Sequence, residues 1–465
     1  MDREVLNRTT GQIASFAQLF QGQNQEIKTM RKHFSLKIIF LLSVILLSGG
    51  IFCPACQAAL KGGFSKVDIT PPVGVWLSGY SSRNKPSEGI SDELYAKAMV
   101  LDDGQNKIAI VSADLLWFPL EITAEIREIA RKKTGIPESN ILVCATHTHF
   151  GPKIDKIRKD WPDTPVSKVD KSYVQKLTKK IADSISTAAQ NLKPVKLGVV
   201  KGEISEIVYN RRTKRPDGKV AMTFRLPPAD ANLVFGPIDP EVAILRVDDA
   251  SDLILGSIVN YACHPVCGAT DSNEFYSISA DYPGYTARVV EQMEGGICLF
   301  ALGTAGDMNP VRMEGENHRS RIGKALGGEV LRRLQFVPAS GDITLKALKK
   351  PMILPLKKDL PPERITDANN PEETLTTEIQ VIRIGDIYIL GLPGEVLVEV
   401  GLEIKKRAGI ENLFIISLSN DACGYVCHSQ AYEEGGYEPG WGTNLAKGAG
   451  EIVIKEALDI IDQIK

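Results

Sequence analysis

The stretch Ile141-Leu-Val-Cys-Ala-Thr-His147-Thr-His149-Phe-Gly-Pro152 decides how the rest of the chain is read. A short apolar run passes straight into a polar tripeptide and stops at Gly-Pro, so a buried strand ends in histidines. In an extended chain residues i and i+2 point to the same side, which aims His147 and His149 together, and imidazole is the commonest metal ligand.

The same arrangement recurs along the chain. Ile254 to Cys263 leads into His264-Pro265, and Cys298 to Leu302 leads into Gly303-Thr-Ala-Gly-Asp307-Met-Asn309-Pro310. Tyr388 to Leu392 leads into Pro393-Gly-Glu395, and Phe414 to Leu418 into Ser-Asn-Asp421-Ala-Cys-Gly-Tyr425. In open α/β sheets ligands bind beyond the carboxyl ends of the strands, so the five segments are placed to converge on one crevice. Singly, His-Pro and Pro-Gly-Glu read as turns. Together, two or more histidines and a glutamate supply the nitrogen and carboxylate ligands of a catalytic zinc, with a position left for water.

Working outward, strands are predicted at Ile108–Ala113, Ile141–Ala145, Leu253–Tyr261, Ile297–Leu302, Ile387–Leu392 and Leu413–Leu418. Helices are predicted at Glu121–Lys133, Tyr173–Asn191, Tyr285–Glu294, Arg321–Gln335 and Val396–Ala408. Their interleaving predicts an α/β fold: a mixed or parallel β-sheet core with flanking helices, in a single large catalytic domain over residues 60–465. No internal repeat is visible, and the proline-rich patch at 350–371 reads as a surface excursion.

The chain has 465 residues, 43% hydrophobic and 24% charged, with a net charge of -2, which excludes a disordered chain and gives no basic excess for nucleic acid. From Met30 a basic start, an apolar run over 38–47 and small residues near 58–59 read as a secretory signal peptide over 30–58, with a retained anchor as the alternative. Residues 1–29 read as an over-called start or a disordered leader. Export to the periplasm or the extracellular space is the expectation.

These segments, in this order, resemble the catalytic domain of the neutral, non-lysosomal ceramidases. The likeness runs from Gly63-Phe-Ser-Lys-Val-Asp-Ile-Thr-Pro71 through Ser78-Gly-Tyr80, His147-Thr-His149-Phe-Gly-Pro152, Asn210-Arg211, His264-Pro265, Gly306-Asp307 and Pro393-Gly-Glu395 to the stretch from Gly424-Tyr425 to Gly442. The resemblance implies a zinc held by His147, His264, Glu395 and Tyr425, with His149 beside it as a substrate-contacting group and not a ligand. It implies a substrate pocket containing Arg211 and Tyr437. It also implies hydrolysis of the amide of ceramide or another N-acyl lipid, with transient contact to a membrane surface. Where the family has Gly-Asp-Val-Ser-Pro with a catalytic serine, this chain has Gly306-Asp307-Met308-Asn309-Pro310. No counterpart of the immunoglobulin-like domain of the longer ceramidases precedes Lys465.

Asn309 cannot form an acyl intermediate, but its amide can donate to a developing oxyanion. The expected reaction is therefore attack by zinc-activated water, with Asn309 or Tyr437 at the oxyanion and His149 handling protons. Asp307 is read as part of the site or as a loop cap, and Arg211 as a pocket residue or as part of a solvated basic loop. The apolar Leu115-Leu-Trp117-Phe118 reads as core. Two other functions compete: a barrel-fold metal-dependent amidohydrolase, which also uses His-x-His after a strand, and a non-catalytic relative that binds lipid or glycan. Cys144, Cys263, Cys267, Cys423 and Cys427 lie within three residues of proposed ligands and are open to three readings: disulfides, buried thiols or thiolate ligands.

Overall fold

The structure, a computed structural model, describes residues 59–154, 169–228, 230–268, 273–312, 317–337, 343–358 and 374–465. The expected signal peptide and leader lie outside them. Among the described residues no helix is long and apolar enough to cross a membrane.

Residues Ala58–Lys465 form one compact unit built from three copies of one topological pattern. In the first copy β1 (Lys61–Asp68), β2 (Tyr95–Asp102) and β3 (Lys107–Ala113) run antiparallel in sequence order. Helix α1 (Leu120–Thr134) then carries the chain over to β4 (Ile141–Ala145), parallel to β3, and α2 (Lys171–Gln190) follows. The second copy repeats this with β5 (Lys193–Glu203), β6 (Glu241–Asp249) and β7 (Ile254–Tyr261), then α3 (Asp281–Glu294), the parallel β8 (Ile297–Leu302) and α4 (His318–Leu334). The third has β9 (Leu345–Pro355), β10 (Thr374–Ile384) and β11 (Ile387–Gly391), then α5 (Val398–Ala408), the parallel β12 (Leu413–Ile416) and α6 (Ala449–Ile464).

The first two copies join edge to edge where β1 meets β5 antiparallel, giving an eight-stranded sheet in the order β8-β7-β6-β5-β1-β2-β3-β4. The third copy forms a separate four-stranded sheet, β9-β10-β11-β12. Period-two alternation assigns each face. Met99, Leu101, Ile108, Ile110, Leu142, Leu245 and Leu299 of the large sheet pack against Ile382, Ile384, Ile387, Ile389, Phe414 and Ile416 of the small one. The opposite face of the large sheet is covered by α1 and α2 through Ile126, Leu177 and Ile181, and by α3 and α4 through Val290, Leu326 and Val330. Helices α5 and α6 cover the outer face of the small sheet through Val400, Ile404, Val453 and Ile460. Two open sheets face to face between helical layers are not a barrel, so the barrel-fold alternative falls.

All six predicted strands are present, and they are the parallel pairs β3–β4, β7–β8 and β11–β12. The α/β class holds, with antiparallel ladders in the majority within a mixed sheet. The surface excursion expected at 350–371 is corrected over its first part: residues through Pro355 belong to β9, which pairs with β10 along eleven residues. Pro351 and Pro355 are tolerated because β9 is an edge strand. Residues 359–371 of that patch lie outside the described ones.

Candidate metal centre

Each parallel pair sends its loops to one place. His147 follows β4, with φ at 69° and its backbone amide donating to Leu115 O at 2.9 Å. A non-glycine residue in the left-handed region costs of order 1–3 kcal/mol, and such strain concentrates at functional loops. His264 follows β7. Glu395 follows β11 after Pro393-Gly394, in a two-residue parallel ladder where it is paired in register with Tyr425. Gly394, at φ 73°, is needed there, because a Cβ would lie 2.4 Å from Gly424 O.

The imidazoles are fixed from behind by main-chain carbonyls. His147 Nδ1 lies 2.9 Å from Leu116 O, His264 Nδ1 2.8 Å from Ala305 O, and His149 Nδ1 3.0 Å from Gly79 O. A carbonyl only accepts, so each Nδ1 carries the proton and each Nε2 presents a lone pair. Gly79 is required for one of these contacts: its φ is 98°, and a Cβ would sit 2.6 Å from the His149 ring.

The lone pairs point at one another. His147 Nε2 lies 3.0 Å from His264 Nε2 and 3.4 Å from His149 Nε2. Glu395 Oε2 is 3.2 Å from His147 Nε2 and 3.3 Å from His264 Nε2, and no hydrogen-bond donor reaches it although it is buried. Bonds of about 2.0–2.1 Å in a tetrahedron put neighbouring donors about 3.3–3.4 Å apart, so these residues fit a zinc-sized cation at their centre. Without a cation three nitrogen lone pairs and a carboxylate would repel. Burial first, then the His147 imidazole, lowers the His264 pKa to about 4, and the same causes hold His149 well below the usual histidine range. Both are therefore neutral near pH 7, as ligation requires. Among the described residues the donor atoms of His147, His149 and His264 all lie within 4.8 Å of one another. The geometry thus draws His149 into the cluster that the sequence reading had kept to two histidines.

Behind Glu395 stands a buried ionic chain. Burial and the facing Glu395 push the Tyr425 phenol well above its usual pKa. The Tyr425 hydroxyl oxygen accepts from Arg211 Nη2 at 3.1 Å. Arg211 also donates to Glu438 Oε1 at 2.8 Å, Gly306 O at 2.7 Å and Asn309 Oδ1 at 3.2 Å. Glu438, fully buried, takes Arg212 on its other oxygen at 2.9 Å.

A cleft of about 1040 Å³ opens in front of the histidines, and His147, His149, Glu395, Tyr425 and Tyr437 line it. Its walls are largely apolar: Trp76, Leu77, Tyr80, Leu116, Trp117, Ile122, Leu356, Leu375 and Trp441. The 115–118 loop divides: Leu115 and Phe118 join the core as expected, whereas Leu116 and Trp117 face the cleft.

Three residues expected in the chemistry do not line this cleft. Arg211 is spent on Tyr425, Glu438, Gly306 and Asn309. Asn309 accepts from Arg211, and its amide nitrogen donates to Phe224 O at 3.3 Å. Asp307 accepts from Val398 N and from Asn210 Nδ2, each at 2.9 Å, so it caps α5 and ties it to the second copy. Burial raises the Asp307 pKa to about 6. Glu438 was not foreseen: a lone glutamate in a loop carries no pattern that predicts burial. Of the three cysteine readings the structure has the second, since Cys144, Cys263, Cys267, Cys298, Cys423 and Cys427 are buried and none of them is in a disulfide.

Two facing open sheets, with imidazoles and a carboxylate gathered at the carboxyl ends of their parallel strands, define an α/β protein with a candidate metal centre. Residues 61–317 match the family described as neutral/alkaline non-lysosomal ceramidase, N-terminal, and the chain belongs to that family. It is 23% identical to the neutral ceramidase of Pseudomonas aeruginosa, over 86% of this chain and 71% of that protein. With the neutral ceramidase of Mycobacterium tuberculosis the identity is 22%, over 78% of this chain and 70% of the relative. The crystal structure of the Pseudomonas aeruginosa neutral ceramidase is similar in fold, with a TM-score of 0.70 at 20% identity, covering 88% of this chain and 75% of that one.

Proposed function

We propose that this chain is a zinc-dependent amidohydrolase that cleaves the N-acyl amide bond of ceramide or a related N-acyl lipid, releasing a fatty acid and an amine. Family membership makes it a ceramidase-type amidase; the metal, its ligands, the residue roles and the substrate are the proposal. The observation that carries it is the set of inward lone pairs on His147, His149 and His264 facing the orphaned Glu395 Oε2. His147, His264 and Glu395 would hold the ion, with Tyr425 completing the set. When bound, the ion supplies Lewis-acid polarisation of the amide carbonyl and a lowered pKa for water.

This chain's own residues do the rest. His149, the one partly exposed imidazole of the three, is kept neutral and has its Nε2 lone pair available. At Nε2 it takes the proton of the attacking water and returns it to the leaving amine. Tyr437 lines the cleft with its ring 5.6 Å from that of Tyr425, and its phenol is the donor for the developing oxyanion. Asn309 supports the Arg211 chain rather than the oxyanion. Asp307 positions α5. The apolar cleft walls take the acyl chain.

We further propose that residues 60–465 are one catalytic domain and that the 30–58 segment exports it. The test is metal analysis of the pure protein followed by incubation with a panel of N-acyl lipids and N-acyl amino acids. Stoichiometric zinc with turnover of a long-chain amide is the expected result. Zinc without hydrolysis of any acylated amine would make the chain a binder instead.

A further inference from the structure

Exposed apolar side chains on this protein are mostly scattered singly, as on any folded surface. One group is not. Of the eleven large hydrophobic residues exposed among the described residues, Phe224, Leu226, Val234 and Phe235 fall in one loop, and Trp441 stands on the neighbouring 437–442 loop. The ring of Phe224 meets that of Tyr437 edge-on at 6.0 Å. Tyr437 and Trp441 belong to the cleft wall, so the apolar patch continues the lip of the cleft outward.

The exposure is built, because the backbone beneath it is held. Val234 exchanges two main-chain hydrogen bonds with Lys214, at 2.8 and 2.9 Å. Phe235 packs edge-on against Tyr209 at 6.1 Å, and the Tyr209 hydroxyl donates to Thr223 O at 2.9 Å.

Charge selects the partner. Of the basic residues in segment 212–235, Arg212 is buried against Glu438 and Glu434, Lys214 pairs with Glu434 and Arg215 lies 3.6 Å from Asp217, which leaves Lys219 and Arg225 at the surface with no ion pair among the described residues, in a chain whose net charge is -2. Arg225, exposed between Phe224 and Leu226, has no ion pair among the described residues, and the Lys219 ammonium donates to a main-chain carbonyl, Glu433 O, at 2.8 Å. Aromatic and aliphatic side chains rimmed by cations are what the interface of an anionic lipid layer accepts.

We infer that the surface formed by Phe224, Arg225, Leu226, Val234 and Phe235, with Lys219 and Trp441, docks on a bilayer containing anionic lipid and sets the mouth of the cleft on its surface. An N-acyl lipid then passes from the layer into the cleft without crossing bulk water. Delivery of substrate rests on the lipid reading above; binding to the surface does not.

The experiment is flotation of the purified protein with phosphatidylcholine vesicles, with and without phosphatidylglycerol, in the absence of any substrate. The wild type is expected to float with the anionic vesicles, less so as salt is raised. The variant L226S/V234S/F235S is expected to lose binding on the order of 10- to 100-fold while hydrolysing a short-chain, water-dispersed N-acyl substrate at the wild-type rate. R225E alone is expected to lose several-fold, and only on anionic vesicles. Equal flotation of the triple variant and the wild type, or no flotation of the wild type, overturns the inference. So does a wild-type dimer that the triple variant dissolves, since the patch would then be covered by a second copy. Flotation with no hydrolysis of any acylated amine would leave the docking surface standing and sink the proposed substrate.

Discussion

The candidate centre has two halves that are held in different ways. His147, His149 and His264 come from the eight-stranded sheet and the loops at its ends, and each is pinned by a main-chain carbonyl. Glu395 and Tyr425 come from the four-stranded side, and Tyr425 is pinned by side chains: Arg211, then Glu438, then Arg212. Main-chain pins follow from the fold itself and survive most substitutions nearby. A chain of buried charges is only as good as each member, because removing one strands the others in low dielectric. Substitutions should therefore act locally in the histidine half and propagate in the charged half.

The largest effect tests the first half directly. His264→Ala or His147→Ala should remove the metal and at least about 10⁴-fold of activity while leaving the fold intact, checked by metal analysis and kcat/KM. Full turnover in either variant would sink the ligand assignment. Next, Glu438→Gln should cost about 3–5 kcal/mol in urea unfolding by breaking a buried ion pair, and should weaken metal binding as well. If only stability moved, the Arg211–Tyr425 contact would have no bearing on the metal.

A pH series separates the halves further. His264 titrates near 4 in the folded, metal-free chain against about 6.5 unfolded, so its stabilisation is complete above about pH 6.5 and is lost as pH falls to about 4. The loss is about 3 kcal/mol in chelator-treated protein, read from urea midpoints, and that share should be absent in His264→Ala, where a loss in the same direction from His149 remains. Tyr437→Phe should lower kcat by about 100-fold with little change in KM if its phenol serves the oxyanion. The smallest effect is expected at Asn309: replacement by alanine should cost about 1 kcal/mol of stability and leave the rate within a few-fold. A collapse in rate there would return Asn309 to the chemistry.

What could be read from the sequence was set by burial on both faces. The six predicted strands are the parallel pairs, whose near-continuous apolar runs, such as Ile-Leu-Val-Cys-Ala, differ from everything around them. Six strands went unrecognised: exposed lysines and glycines interrupt β1, β5 and β9, as in Lys61-Gly-Gly-Phe-Ser-Lys, and charged or polar residues such as Lys97, Arg246 and Gln380 interrupt β2, β6 and β10. With those strands missing, the threefold topology was invisible. Helix α6 did carry a signal, with Val453, Ala457, Ile460, Ile461 and Ile464 at helical spacing. In the site, the ends of the parallel strands supplied His147, His264, Glu395 and Tyr425, and these do come together. Arg211 and Asn309 could not be placed, because the direction of a buried polar side chain depends on partners such as Glu438 that lie far away in sequence.

Three of the donor groups that surround the central space belong to three different copies of the repeated pattern: His147 to the first, His264 to the second and Glu395 to the third. An ion there would act as a clasp across the seam between the two sheets, and its binding energy would count toward their association. Chelation would then loosen the molecule along that seam first. Amide hydrogens of β11 and β12 should exchange sooner than those of β6 and β7 once the ion is withdrawn, which makes loss of metal a mechanical event before it is a catalytic one.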